Sequence, residues 1–85
     1  MPESIPEITK KFLDGKSLEE FAQGLGIECS RQMVWYWKEG RQNPSLGTLF
    51  GVRNSPSAEK WARKWAEECL VAMDIFYPEV SQPEG

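Results

Sequence analysis

Met33-Val34-Trp35-Tyr36-Trp37 is an unbroken run of large apolar and aromatic residues, preceded by Ser30-Arg31-Gln32 and followed by Lys38-Glu39-Gly40-Arg41-Gln42-Asn43-Pro44-Ser45. A helix through this run points side chains around its whole circumference. One helix of a small chain buries only a stripe on one side, so some of these aromatics remain at the surface beside Arg and Lys. Exposed rings next to cationic and amide groups suit recognition, by stacking, hydrogen bonding and charge, and mark a contact surface.

Groups that make and break bonds are scarce by comparison. The chain has no His, and its two cysteines, Cys29 and Cys69, stand far apart, so none of the usual zinc spacings can be assembled. Neither a metal site nor a cofactor is expected. A Ser-His or Cys-His pair is impossible without His, and no glycine-rich phosphate loop is present, so the chain is not expected to be an enzyme. Glu19-Glu20 and Glu67-Glu68 read as solvated helix faces, not as an acid-base pair. The chain opens on charged residues and Pro instead of an apolar signal, which predicts a cytoplasmic protein with free thiols. Charged residues interrupt every apolar stretch before it reaches membrane-spanning length, so no membrane partner is expected.

Eighty-five residues make one domain near the lower size limit of a self-sufficient core, and four Trp, four Phe and two Tyr imply that this core is rich in rings. The net charge of −3 is unevenly spread. Acidic residues dominate residues 1–30 and 65–85. Between them Arg31, Lys38, Arg41, Arg53, Lys60, Arg63 and Lys64 face only Glu39 and Glu59, so along the sequence positive charge gathers around the aromatic run.

Strand patterns are weak and helix patterns recur. Ser4 with Glu7 has capping-box spacing before Ile5, Ile8 and Phe12, and Asp14-Gly15 stops this first helix. Ser17 with Glu20 repeats the box before Leu18, Phe21, Ala22 and Leu25, a stripe ended by Gly26. Ser30 caps a third helix running to about Glu39, with Val34 and Trp37 inward and Gly40 as its stop. Pro44-Ser45 opens a short fourth helix with Leu46, Leu49 and Phe50 inward, where Gly47 and Gly51 allow close packing. After the turn at Ser55-Pro56-Ser57, the longest helix is predicted from Ala58 to about Phe76, with Trp61, Ala62, Trp65, Ala66, Cys69, Ala72, Met73 and Phe76 on its inner face. Val71 and Ile75 fall on the opposite side. The predicted architecture is an all-α domain of about five helices over residues 1–77 with a long C-terminal helix, followed by a flexible acidic tail over 78–85.

Two short helices joined by a Gly-containing turn have the helix-turn-helix order. The segments Ser17-Leu18-Glu19-Glu20-Phe21-Ala22-Gln23-Gly24-Leu25-Gly26-Ile27 and Ser30-Arg31-Gln32-Met33-Val34-Trp35-Tyr36-Trp37-Lys38-Glu39-Gly40-Arg41-Gln42-Asn43-Pro44-Ser45-Leu46 resemble the lambda-repressor/Cro-like (XRE) family of DNA-binding domains. The likeness spans roughly residues 5–52, with the helix-turn-helix core at about 17–40. Small Ala22 stands where the two helices cross, Leu25 and Ile27 fill the core beside the turn, and Val34 and Trp37 anchor the third helix from behind. Glu28-Cys29 makes the turn two residues longer than the family's, and Met33, Trp35 and Tyr36 replace small or polar residues on the outer face.

The resemblance implies a sequence-specific regulator of transcription, of phage or bacterial repressor type, with its third helix in the major groove of double-stranded DNA. On that analogy Arg31, Gln32, Tyr36, Met33 and Trp35 contact bases, and Ser17, Lys38, Arg41, Gln42 and Asn43 contact phosphates, with Lys16 as a distal contact. A single small reader is expected to work as a homodimer, and Val71, Ile75, Phe76 and Tyr77 of the last helix are its expected interface. The alternative is a protein-binding module on the same fold, such as an antitoxin, an anti-repressor or a polymerase-binding factor, whose exposed aromatic face meets protein.

Overall fold

Serine starts four of the five helices in the computed structural model, which describes residues 3–73. Ser4 Oγ accepts from the Glu7 N–H and the Glu7 carboxylate accepts from the Ser4 N–H, closing the box that opens α1 (Ile5–Leu13). The same reciprocal pair, Ser17 with Glu20, opens α2 (Leu18–Gly24). Ser30 Oγ accepts from the Met33 N–H at the head of α3 (Arg31–Glu39), and Ser45 Oγ from the Thr48 N–H at the head of α4 (Leu46–Asn54). Each cap satisfies an N–H that the helix itself leaves orphaned. Among the described residues the chain is thus all-α, five helices completed by α5 (Lys60–Ala72).

The helix α5 begins two residues later than its sequence suggests. Glu59 lies before the helix without a side-chain cap bond, and its N–H donates instead to Gly24 O at 2.9 Å, while Ala58 is buried. Docking on the end of α2 therefore takes the residues that would have extended the first turn. The expected inner stripe of α5 holds for Ala62, Trp65, Ala66 and Cys69; Leu70, fully buried, joins it, and Trp61 is only half-buried. Val71 is 63% exposed, as its position predicts. Ile75, Phe76, Tyr77 and the segment 78–85 lie outside the described residues.

The fourth helix departs from expectation in its facing. Leu46 is 43% exposed, whereas Leu49 and Val52 are fully buried and Phe50 is half-buried. Leu46 occupies the first position of α4, and the buried residues of this helix, Leu49 and Val52, come later. Nor do Gly47 and Gly51 mark a close approach: a Cβ on Gly51 would stand 3.6 Å from Ile27 Cγ2, and one on Gly47 3.9 Å from Ser45 Oγ, both ordinary contacts. The close approach is at Gly26. Its φ is +73°, and a Cβ there would fall 2.5 Å from the Ala58 backbone nitrogen and 2.6 Å from Ser55 Oγ, which itself donates to Gly26 O at 2.8 Å. The turn between α2 and α3 is thereby clasped to the turn between α4 and α5.

Rings fill the centre. Trp65 stacks on Trp37 (centroids 5.3 Å apart, planes at 28°) and meets Phe21 edge-on at 5.4 Å. Its indole N–H donates to Thr9 Oγ1 at 3.0 Å, so the one buried polar residue of α1 is satisfied by the core it enters. On the outside, Lys11 bridges Glu3 and Glu68 at 2.9 Å each and ties α1 to α5. These ion pairs are solvent-exposed and contribute little to stability.

Candidate nucleic-acid interface

The helix α3 is held from behind. Val34 and Trp37 are buried against α1, α2 and the rings of the core, three positions apart on one face. Gly40 ends the helix at φ +76°, and the Arg41 N–H closes back on Tyr36 O at 2.9 Å, which fixes the chain's exit. Pro44 is buried and returns the loop to the body of the protein.

Of the residues expected at base edges, Arg31 and Gln32 are exposed at the start of α3. Trp35 and Tyr36 are half-buried, in edge contact at 5.5 Å. Met33 is half-buried as they are, and it also packs against the core. Gln32 Nε2 donates to the Tyr36 hydroxyl at 3.1 Å. The Arg41 guanidinium lies over the Trp35 ring, 5.5 Å from its centroid. The first of these is an i, i+4 pair that helical spacing makes visible in the sequence. The second reaches across a left-handed turn, which no helical period describes.

Among the expected phosphate contacts, Arg41, Gln42 and Asn43 are exposed in the loop after α3. Lys38 is half-buried and forms an ion pair with its neighbour Glu39, and the bonded ammonium holds the Glu39 carboxyl below the usual carboxylate range. Ser17 is exposed but already serves as the cap of α2. Lys16 is engaged elsewhere, donating to Phe12 O at 3.0 Å with its ammonium over the Trp61 ring at 4.5 Å.

The positive charge that clusters in the sequence does not gather around α3 in space. Arg53 Nε lies 3.7 Å from Glu67 Oε2, and an Arg63 guanidinium N–H donates to Ser55 O at 2.8 Å. Lys64 borders a recess of about 330 Å³ shared with Glu3, Glu67, Glu68 and Val71. Arg31, Arg41 and the paired Lys38 stand at the ends of α3, and Lys10 of α1 is close enough to Glu39 to help hold its carboxyl down. A cleft of about 480 Å³ runs beside the start of α3 between Glu19, Ala22 and Gln23 on one side and Cys29, Ser30 and Arg31 on the other.

Both cysteines are free. Burial, with the Glu68 carboxylate adding to it, pushes the Cys69 thiol up to about 12, and burial also raises the half-buried Cys29 thiol. Neither is activated as a nucleophile. Among the described residues no three His, Cys, Asp or Glu side chains gather as a metal site, and no helix is long and apolar enough to cross a membrane. No protein-family model, curated protein or solved structure matches this chain.

Proposed function

We propose that the chain is a sequence-specific double-stranded DNA-binding regulator of transcription, a repressor-type helix-turn-helix protein of the lambda-repressor/Cro-like kind that lays α3 in the major groove. The observation that carries this reading is the two-sided build of α3, anchored inward by Val34 and Trp37 and presenting Arg31 and Gln32 outward from its first turn. A nine-residue helix is about 14 Å long, comparable to the roughly 12 Å width of the groove. Arg31 can bond guanine O6 and N7, and Gln32 suits adenine. Arg41, Gln42, Asn43, Lys38 and Ser17 then meet phosphates at either end. Working as a homodimer doubles a small contact area, and exposed Val71 on α5 supplies an apolar patch for the second copy.

Selection from random duplexes with the purified full chain tests binding, preference and half-site symmetry together. Affinity should fall steeply with added salt, and Arg31→Ala with Gln32→Ala should abolish sequence preference while helicity is retained. Absence of duplex binding at low salt defeats the reading. For the dimer, Val71→Glu with Ile75→Glu should convert the sedimenting species to monomer.

One observation favours a second reading, a protein-binding module. Arg53 is paired with Glu67 and Lys64 shares a recess with Glu3, Glu67 and Glu68, so these two cations do not add to the charge beside Trp35 and Tyr36. Binding that is insensitive to salt, to a partner other than nucleic acid, would support it.

A further inference from the structure

Four side chains on the outer side of α3 are joined in series: Gln32 to Tyr36 by a hydrogen bond, Tyr36 to Trp35 by edge contact, and Trp35 to Arg41 by the ring face. The two rings stand in the middle and the two polar groups at the ends. We propose that Trp35 and Tyr36 are positioning residues, a bracket that presets the Gln32 amide for an adenine edge and the Arg41 guanidinium for a phosphate. The proposal rests on α3 being the DNA-contacting helix, and it moves the aromatics from contact to support.

The hydrogen-bond inventory gives the bracket its direction. Gln32 Nε2 carries two hydrogens, and the Tyr36 hydroxyl takes one of them. Left over are Oε1, an acceptor, and the second N–H, a donor, in one amide plane whose rotation the bond to the hydroxyl restrains. Adenine presents N6–H as donor and N7 as acceptor in the major groove, the complementary pair. A free glutamine would lose all of its side-chain freedom on binding, whereas this one is restrained in part beforehand by its bond to Tyr36.

Arg41 is fixed at both ends. Its backbone N–H is held by Tyr36 O at 2.9 Å, behind left-handed Gly40, and its guanidinium covers the Trp35 ring. The guanidinium sits above the ring face and Arg41 remains exposed, so its N–H groups are accessible to a phosphate, which a guanidinium can grip bidentately. Because Trp35 touches Tyr36, the orientation of the base reader and that of the phosphate grip are set by one packed unit.

Two measurements on the full chain test this. In the free protein, NMR should show one Gln32 side-chain amide proton shifting in Tyr36→Phe, and a ring-current shift of the Arg41 side chain that disappears in Trp35→Leu and persists in part in Trp35→Phe. On duplexes, Tyr36→Phe should lower the preference for adenine at one position about five-fold with the salt dependence unchanged. Trp35→Leu should weaken all duplexes alike, and Arg41→Ala should cost about five-fold less in that background than in the native chain. Wild-type Gln32 and Arg41 signals that ignore these substitutions overturn the bracket even if DNA is bound. Intact free-protein signals without any duplex binding overturn the DNA reading and the adenine assignment with it. Independent, multiplicative effects of Trp35→Leu and Arg41→Ala overturn the link between ring and guanidinium.

Discussion

Trp35 and Trp37 lie on the same helix within one turn, and their rings meet different company. Trp37 is 1% exposed, stacked on Trp65 and surrounded by the side chains of other helices. Trp35 is half-buried, touches its own neighbour Tyr36 and carries Arg41 on its face. The inner ring joins helices distant in sequence. The outer ring meets Tyr36 and Arg41, both within α3 and the loop that follows it. Two faces of one helix thus separate the demands of folding from those of recognition.

The sharpest way to break that comparison is to truncate one ring on each side. Trp65→Ala removes the partner of Trp37, Phe21 and Thr9 together, and should cost about 3–5 kcal/mol in urea denaturation. Trp35→Ala should cost less than about 1 kcal/mol in the same assay, because it leaves no cavity in the core. Equal losses would show that the outer aromatics hold the fold after all.

Gly26→Ala comes next, at about 2–4 kcal/mol, since it adds left-handed backbone strain to a collision with the Ala58 backbone. It should lower the thermal midpoint far more than an alanine at exposed Gly47, where a Cβ has room. Thr9→Val keeps the shape of the core and removes the acceptor of the Trp65 N–H, a loss of about 1–3 kcal/mol measurable by denaturant midpoint.

The last effect is absent at neutral pH and develops only in alkali. The Cys69 thiol is pushed up to about 12 in the folded chain, above its ordinary value of 9.0, so from pH 9 upward the folded state keeps a proton that the unfolded state releases. Stability from this group is complete below pH 9 and declines as pH rises toward 12. Cys69→Ala should flatten that decline in a pH series of melting curves. Thiol reagents at neutral pH should label Cys29 before Cys69, which is fully buried.

Local signals account for what could be read in advance. The serine caps and the Gly40 stop are decided within three or four residues, and all of them stand where the sequence puts them. Long-range contacts account for the departures. Which side of α4 turns inward depends on where α5 packs, so Leu46, expected inward, is exposed, and Val52, for which no facing was expected, is buried. The start of α5 depends on a bond from Glu59 to Gly24, on a different helix. Basic residues close in sequence, Arg53 and Lys64 among them, are carried to the α4–α5 side and meet acids there. The Gln32 and Tyr36 pair was visible at helical spacing, while the approach of Arg41 to Trp35 was hidden by the turn that produces it.

The clasp between Ser55 Oγ and Gly26 O bears on modularity. A fragment cut at Gly40 would keep Arg31, Gln32, Trp35 and Tyr36, yet lose Ser55 and Ala58, against which the α2–α3 turn is moulded. Grafting α2 and α3 into another scaffold would therefore transplant the lettering without the hinge that sets its angle. The smallest portable unit of this protein includes α5, whose Trp65 backs Trp37 and Phe21.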